Sequence, residues 1–97
     1  MPVGSKVLVL FLEKEPYAVM ESGEKMVEYR ANNRYWRGRI VGKGITHVEF
    51  RSGYNPGRPR FTRRLASLAV VPAVDKCYSN GLHVCGKNFL ALHLAPV

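Results

Sequence analysis

The chain has 97 residues, enough for one domain with a modest core and too few for two. Its hydrophobic content of 46% is ordinary for a globular protein, and the absence of low-complexity runs or internal repeats excludes a disordered or solenoid chain. Fifteen Lys and Arg against seven Asp and Glu leave a net charge of +8, which points toward an anionic partner.

Val7 to Leu12 is the most hydrophobic run. It is far too short to span a bilayer, charged residues follow from Glu13, and it is short for a secretory signal and lacks a clear cleavage pattern, so a buried strand is expected. Glu15 to Ser22 reads as a short helix: Pro16 suits the first turn, Tyr17 and Met20 share a face, and Gly23 can take the left-handed conformation that ends it. In the next stretch, Met26 to Arg30, residues Val27 and Tyr29 alternate with Glu28 and Arg30, the period of a strand with two different faces. Glu28 and Arg30 therefore point the same way and can form a charge-assisted pair, with Lys25 at the preceding turn.

Asn32 and Asn33 break the pattern. Arg34 to Val41 is expected as a short helix or irregular turn, with Trp36 anchored in the core and Arg34, Arg37 and Arg39 around it. Thr46 to Ser52 alternates as a half-buried strand, Val48 and Phe50 on one face and His47, Glu49 and Arg51 on the other. Two glycines and two prolines make Gly53 to Arg60 a loop, offering Arg58 and Arg60 at its tip and Tyr54 at its base. Phe61 to Val74 is a long or bent strand whose pairing Pro72 is expected to end. Asp75 to Asn88 shows little periodicity around a Ser79-Asn80-Gly81 turn, and Phe89 to Leu94 closes the chain with Leu90, Leu92 and Leu94 inward.

The pattern Gly23-x-Lys25-x-x-Glu28-x-Arg30 after a short helix resembles the signature of ASCH domains, members of the PUA-like superfamily. Tyr35-Trp36-Arg37-Gly38-Arg39 and the stretch from His47 to Tyr54 are similar to further segments of the small single-domain bacterial and phage members. The resemblance runs from about Val7 to Val71 and returns weakly at Phe89 to Leu94. It implies one ASCH/PUA-like domain over residues 1–97, in the α+β class: a small PUA-like mixed β-barrel of five or six strands with one or two short helices. Some ASCH relatives remove the acetyl group from acetylated cytidine and others are described as ribonucleases. In the amidohydrolases the lysine matching Lys25 works with a threonine three residues on, and here Glu28 holds that position, so the nucleophilic hydroxyl is missing.

Charge is concentrated. Between Arg30 and Arg64 stand nine arginines and Lys43 against the single acid Glu49, with aromatic residues interleaved. Arginine forks pair with phosphates and aromatic rings stack on bases, which is what a single-stranded nucleic-acid surface needs. The leading expectation is a nucleic-acid-binding module, for RNA or another single-stranded or modified target. Lys25, Glu28 and Arg30 would line a cleft between helix and barrel, Arg37, Arg39, Arg51, Arg58 and Arg60 would meet the strand, and Tyr54 would stack on a base. One alternative is an enzyme acting on RNA or an acetylated nucleoside, with Lys25 and Glu28 as acid-base partners. A third is a basic interaction protein for an acidic protein partner.

Other chemistry finds little footing. Cys77, His83 and Cys85 have the spacing Cys-x5-His-x-Cys, which matches no familiar zinc pattern, and such residues near a small barrel core are expected to be packed; no metal and no cofactor are expected. Walker, dinucleotide and HExxH motifs and nucleophile elbows do not occur. Two cysteines and no Asn-x-Ser/Thr acceptor make the cytoplasm the expected location, with no membrane partner.

Overall fold

In the computed structural model, which describes residues 4–53 and 57–96, seven elements follow in the order β1 (Val7–Leu12), α1 (Lys14–Glu21), β2 (Val27–Ala31), α2 (Arg34–Ile40), β3 (His47–Ser52), β4 (Arg60–Cys77) and β5 (His83–Leu94). The five strands form one sheet in the order β1-β3-β4-β5-β2, curled into a half-barrel. β1 pairs with β3 in parallel, and the other neighbours are antiparallel. This is a small α+β barrel-like fold. Among the described residues no helix is long and apolar enough to cross a membrane.

Period-two alternation decides what the half-barrel holds. Leu8, Leu10 and Leu12 of β1, Val48 and Phe50 of β3, and Leu90, Leu92 and Leu94 of β5 all turn to the concave face and are buried. Tyr17 and Met20 of α1 and Ile40 of α2 join the same core, with Trp36, Ile45, Phe61 and Leu65 packed at its border. The run Val7–Leu12 is therefore half-buried rather than wholly buried, because Val7 and Phe11 face outward.

α1 ends as its sequence suggests, with Gly23 at φ 86°. Its last carbonyls find an unexpected partner. Arg63 of β4 is buried and donates Nη2 to the carbonyls of both Met20 and Glu21, with its guanidinium over the Phe61 ring. One arginine of the basic window is thus a structural clamp between sheet and helix.

One expectation fails in β4. Pro72 does not end the strand: Val71 pairs with Phe89 and Ala73 with Lys87 on either side of it. Opposite Pro72, the Asn88 carbonyl accepts the Asn32 N–H, so this pair of positions faces away from the β4–β5 ladder and the missing N–H of Pro72 costs no bond there. The lack of periodicity in 75–88 hides a ladder on either side of the Ser79-Asn80-Gly81 turn, which forms as expected. These residues form the end of a long hairpin whose tip at 78–82 returns to α1, where Asn80 Nδ2 donates to the Glu15 carbonyl, and to the turn after it, where Ser79 donates to the Glu24 carboxylate. Asn88 at φ 59° and Gly86 at φ 149° supply backbone conformations that regular strand residues lack.

Phe50 is fully buried at the centre of the core and packs on Phe61 at 5.2 Å. Phe50→Ala is expected to cost about 3–5 kcal/mol, read as a lower urea midpoint with an unchanged slope. Gly86→Ala would place a Cβ 2.7 Å from the Phe89 ring, and melting temperature should fall more than for Gly81→Ala, where nothing lies within 4 Å.

Candidate functional site

β2 sets the site. Pairing of Glu28 with Leu92 and of Arg30 with Leu90 puts both ionic side chains on the concave face. Lys25 comes from the turn between α1 and β2, where its backbone N–H is tied to the Val19 carbonyl. The three converge as the motif suggests. Lys25 Nζ meets Glu28 Oε1 at 2.7 Å and Arg30 Nη2 meets Glu28 Oε2 at 2.7 Å, so one carboxylate bridges two cations. Lys25 Nζ also donates to the Val27 carbonyl at 2.7 Å.

The array is more enclosed than a cleft wall. Lys25 is 3% exposed and Glu28 5%, and the Arg30 side chain retains 18%. In such a setting Coulomb attraction is weakly screened, and the array carries one positive charge beyond neutrality. Among the described residues Arg30 Nε is a buried side-chain donor without a hydrogen-bond partner.

Arg30 also joins the array to α2. Its guanidinium lies 4.9 Å from the Trp36 ring centroid, and Arg39 lies 5.4 Å from Trp36 and 5.8 Å from Tyr35. Asn33 caps α2 by accepting the Trp36 N–H, which fixes this helix against β2, and Arg37 donates to Asn32 Oδ1. Trp36 is the border anchor that its sequence context suggests, while Tyr35 remains 61% exposed. The result is an alternating stack of arginines and aromatics leading from the buried carboxylate to solvent.

Three contributors were not singled out by sequence. Leu68 and Val70 of β4 pair with Leu92 and Leu90, so they lie on the same face as Glu28 and Arg30, and both are exposed. Only knowledge of the register identifies them, since apolar residues on a strand look like core. Tyr78 at the hairpin tip is buried, and its hydroxyl pKa is raised by that burial and then by the nearby Tyr29, Glu24 and Glu28.

The remaining candidates stand elsewhere. Arg51 and Arg60 are cross-strand partners on β3 and β4, on the convex face, and Arg51 bonds Glu49. Arg58 follows the loop, with its guanidinium near Gly53. Tyr54 lies outside the described residues. Cys77 and Cys85 are exposed rather than packed, because they sit on the hairpin end and not in the core, and His83 pairs with Asp75. Among the described residues no group of three His, Cys, Asp or Glu could hold a metal ion.

Comparison with family models, with curated proteins and with solved structures finds no match to the chain.

Glu28→Gln should destabilise the protein by about 3–5 kcal/mol, because it leaves the buried Lys25 without its counterion. Guanidinium denaturation checks this, and Lys25→Met made in the same background should recover part of the loss. At the hairpin tip, hydrogen bonds from the Ser79 side chain and backbone hold the Glu24 carboxyl below its ordinary value of 4.5. The contact is therefore complete above pH 4.5 and lost as pH falls through the lowered folded-state value. The Ser79 amide proton shift should titrate with a midpoint below 4.5, and Glu24→Gln should abolish that titration.

Proposed function

We propose that the protein is a nucleic-acid-binding module, for RNA or another single-stranded or modified target, with Lys25, Glu28 and Arg30 at the centre of its site. The observation that carries this is the continuous run from the Glu28 carboxylate through Arg30 and Trp36 to Arg39 and exposed Tyr35. Rings and guanidinium planes at the solvent end offer stacking surfaces to bases, and Arg37 and Arg39 offer forks to phosphates. At the buried end both carboxylate oxygens are engaged, while Arg30 Nε is an unused donor. Such a site favours a group that brings an acceptor, as a base carbonyl does. Leu68 and Val70 extend the same face with apolar surface.

The resemblance of Gly23-x-Lys25-x-x-Glu28-x-Arg30 to the ASCH signature supports the same reading, as does a curled mixed sheet of the size of a PUA-like barrel. Turnover is less well served. A general base needs a free lone pair, and Lys25 Nζ donates to two oxygens in a nearly closed setting.

The experiment is a titration of labelled single-stranded RNA, single-stranded DNA and duplex DNA across a range of salt. Single strands should bind more tightly than duplex. Arg37→Ala with Arg39→Ala should reduce the slope of log affinity against log salt by about 1.4, at roughly 0.7 per phosphate contact on a single strand. Arg30→Lys should weaken binding with little change of slope, since the charge is kept and the stacked fork is lost. Absence of binding to every nucleic acid would overturn the proposal, and cleavage of the RNA that disappears in Lys25→Ala would replace it with the enzyme.

A further inference from the structure

The convex face of β1, β3 and β4 carries a second arrangement that the concave site does not use. Residues directly opposite on paired strands project to the same face. Arg51 is opposite Arg60, Glu49 opposite Thr62, and His47 opposite Arg64. Val48 and Phe50 fill the core from the other side of β3, so these three rows look outward, and Arg60, Thr62 and Arg64 are exposed.

Like charges facing each other across a ladder are destabilising. Here Arg51 is compensated by Glu49, but among the described residues no ion pair involves Arg60 or Arg64. Lys6 and Lys43 add two exposed cations beyond the His47 row, where Lys6 Nζ reaches the Lys43 carbonyl. Arg58 adds another beyond the Arg51 row. The positive charge therefore runs the length of the face.

β1 completes the layout. Its register sets Phe11 beside Arg51, Val9 beside Glu49 and Val7 beside His47. The Arg51 guanidinium lies 5.9 Å from the Phe11 ring centroid. An apolar rail on the edge strand thus lies parallel to a cationic rail on the two inner strands. The Arg51 and His47 rows are about 14 Å apart at 3.4 Å per residue, a separation that alternate phosphates of an extended strand can bridge.

We propose that this convex face is a second track for a single-stranded nucleic acid, with phosphates on Arg60, Arg64 and Arg51 and bases laid toward Phe11, Val9 and Val7. A polyanion suits the run of charge, and a single strand rather than a duplex suits the adjoining apolar rail, because only unpaired bases can lie on it. Glu49, the acid within this run, sits between the cationic rows, where its carboxylate accepts from a base N–H, such as the N3–H of uracil or thymine, without meeting a phosphate. The track rests on the nucleic-acid reading of the protein, and it adds a contact surface on the opposite side of the sheet from Lys25, Glu28 and Arg30.

The test uses the full chain and short fluorescein-labelled oligouridylate and oligothymidylate. Arg60→Ala with Arg64→Ala should weaken binding about ten-fold or more and reduce the salt slope by about 1.4. Amide shifts of Thr62 and Glu49 should move on titration in the wild-type protein, and oligouridylate against oligothymidylate tells RNA from DNA. If the strands bind and respond to the Arg37 and Arg39 substitutions but not to those at Arg60 and Arg64, and Thr62 and Glu49 stay still, the track is wrong and the concave site stands. If neither oligonucleotide binds, both fall together. Circular dichroism of the double variant should match wild type, since both arginines are exposed, and a variant that fails to fold would be replaced by Arg60→Gln with Thr62→Glu, judged by the same slope.

Discussion

Glu28 is the residue on which the arrangement turns. A lysine buried as deeply as Lys25 is tolerated only with a counterion and hydrogen-bond acceptors, and Glu28 supplies both while holding Arg30. Arg30 then fixes its own plane over Trp36, and Trp36 fixes α2 at the border of the core. A chain of dependence thus leads from one carboxylate on an edge strand to a helix that presents arginines to solvent. Electrostatic satisfaction and packing are here the same constraint.

Much of the fold was legible because period-two patterns are local. Val48 with Phe50, and Leu90 with Leu92 and Leu94, announce their inward face without knowledge of any partner strand. Gly23 announced the end of α1 for the same reason. Pro72 misled because its effect depends on which side of the strand has a neighbour, and β3 pairs with β4 only at its beginning. That information lies in topology and not in the surrounding residues.

The candidate site divides in a similar way. Lys25, Glu28 and Arg30 lie within six residues of one another, so their meeting was visible in the sequence. The arginines were not separable. Arg63 clamps α1, Arg39 stacks on Tyr35 and Trp36, and Arg51 turns to the convex face, yet all three occupy one basic window. Composition gives the excess of charge and leaves its sorting between core, concave face and convex face to the register. The exposed cysteines make the same point: a residue type that is usually buried stands outside because its hairpin runs past the core.

The strand that carries Glu28 and Arg30 lies at the sheet edge, and its ladder with β5 runs from Val27 with His93 to Ala31 with Phe89, joining residues about sixty positions apart along the chain. Closing a loop of that length precedes any reward from the contacts it makes, so the pairing belongs to the slow, non-local part of folding. The motif can be written in eight consecutive residues, but the environment that buries it is assembled from both ends of the chain. A partly folded molecule with β2 unpaired would hold the same lysine, glutamate and arginine in water, where their attraction is weak. The chemical character of the site is therefore acquired on closure of the sheet, and its integrity reports on whether that closure is complete.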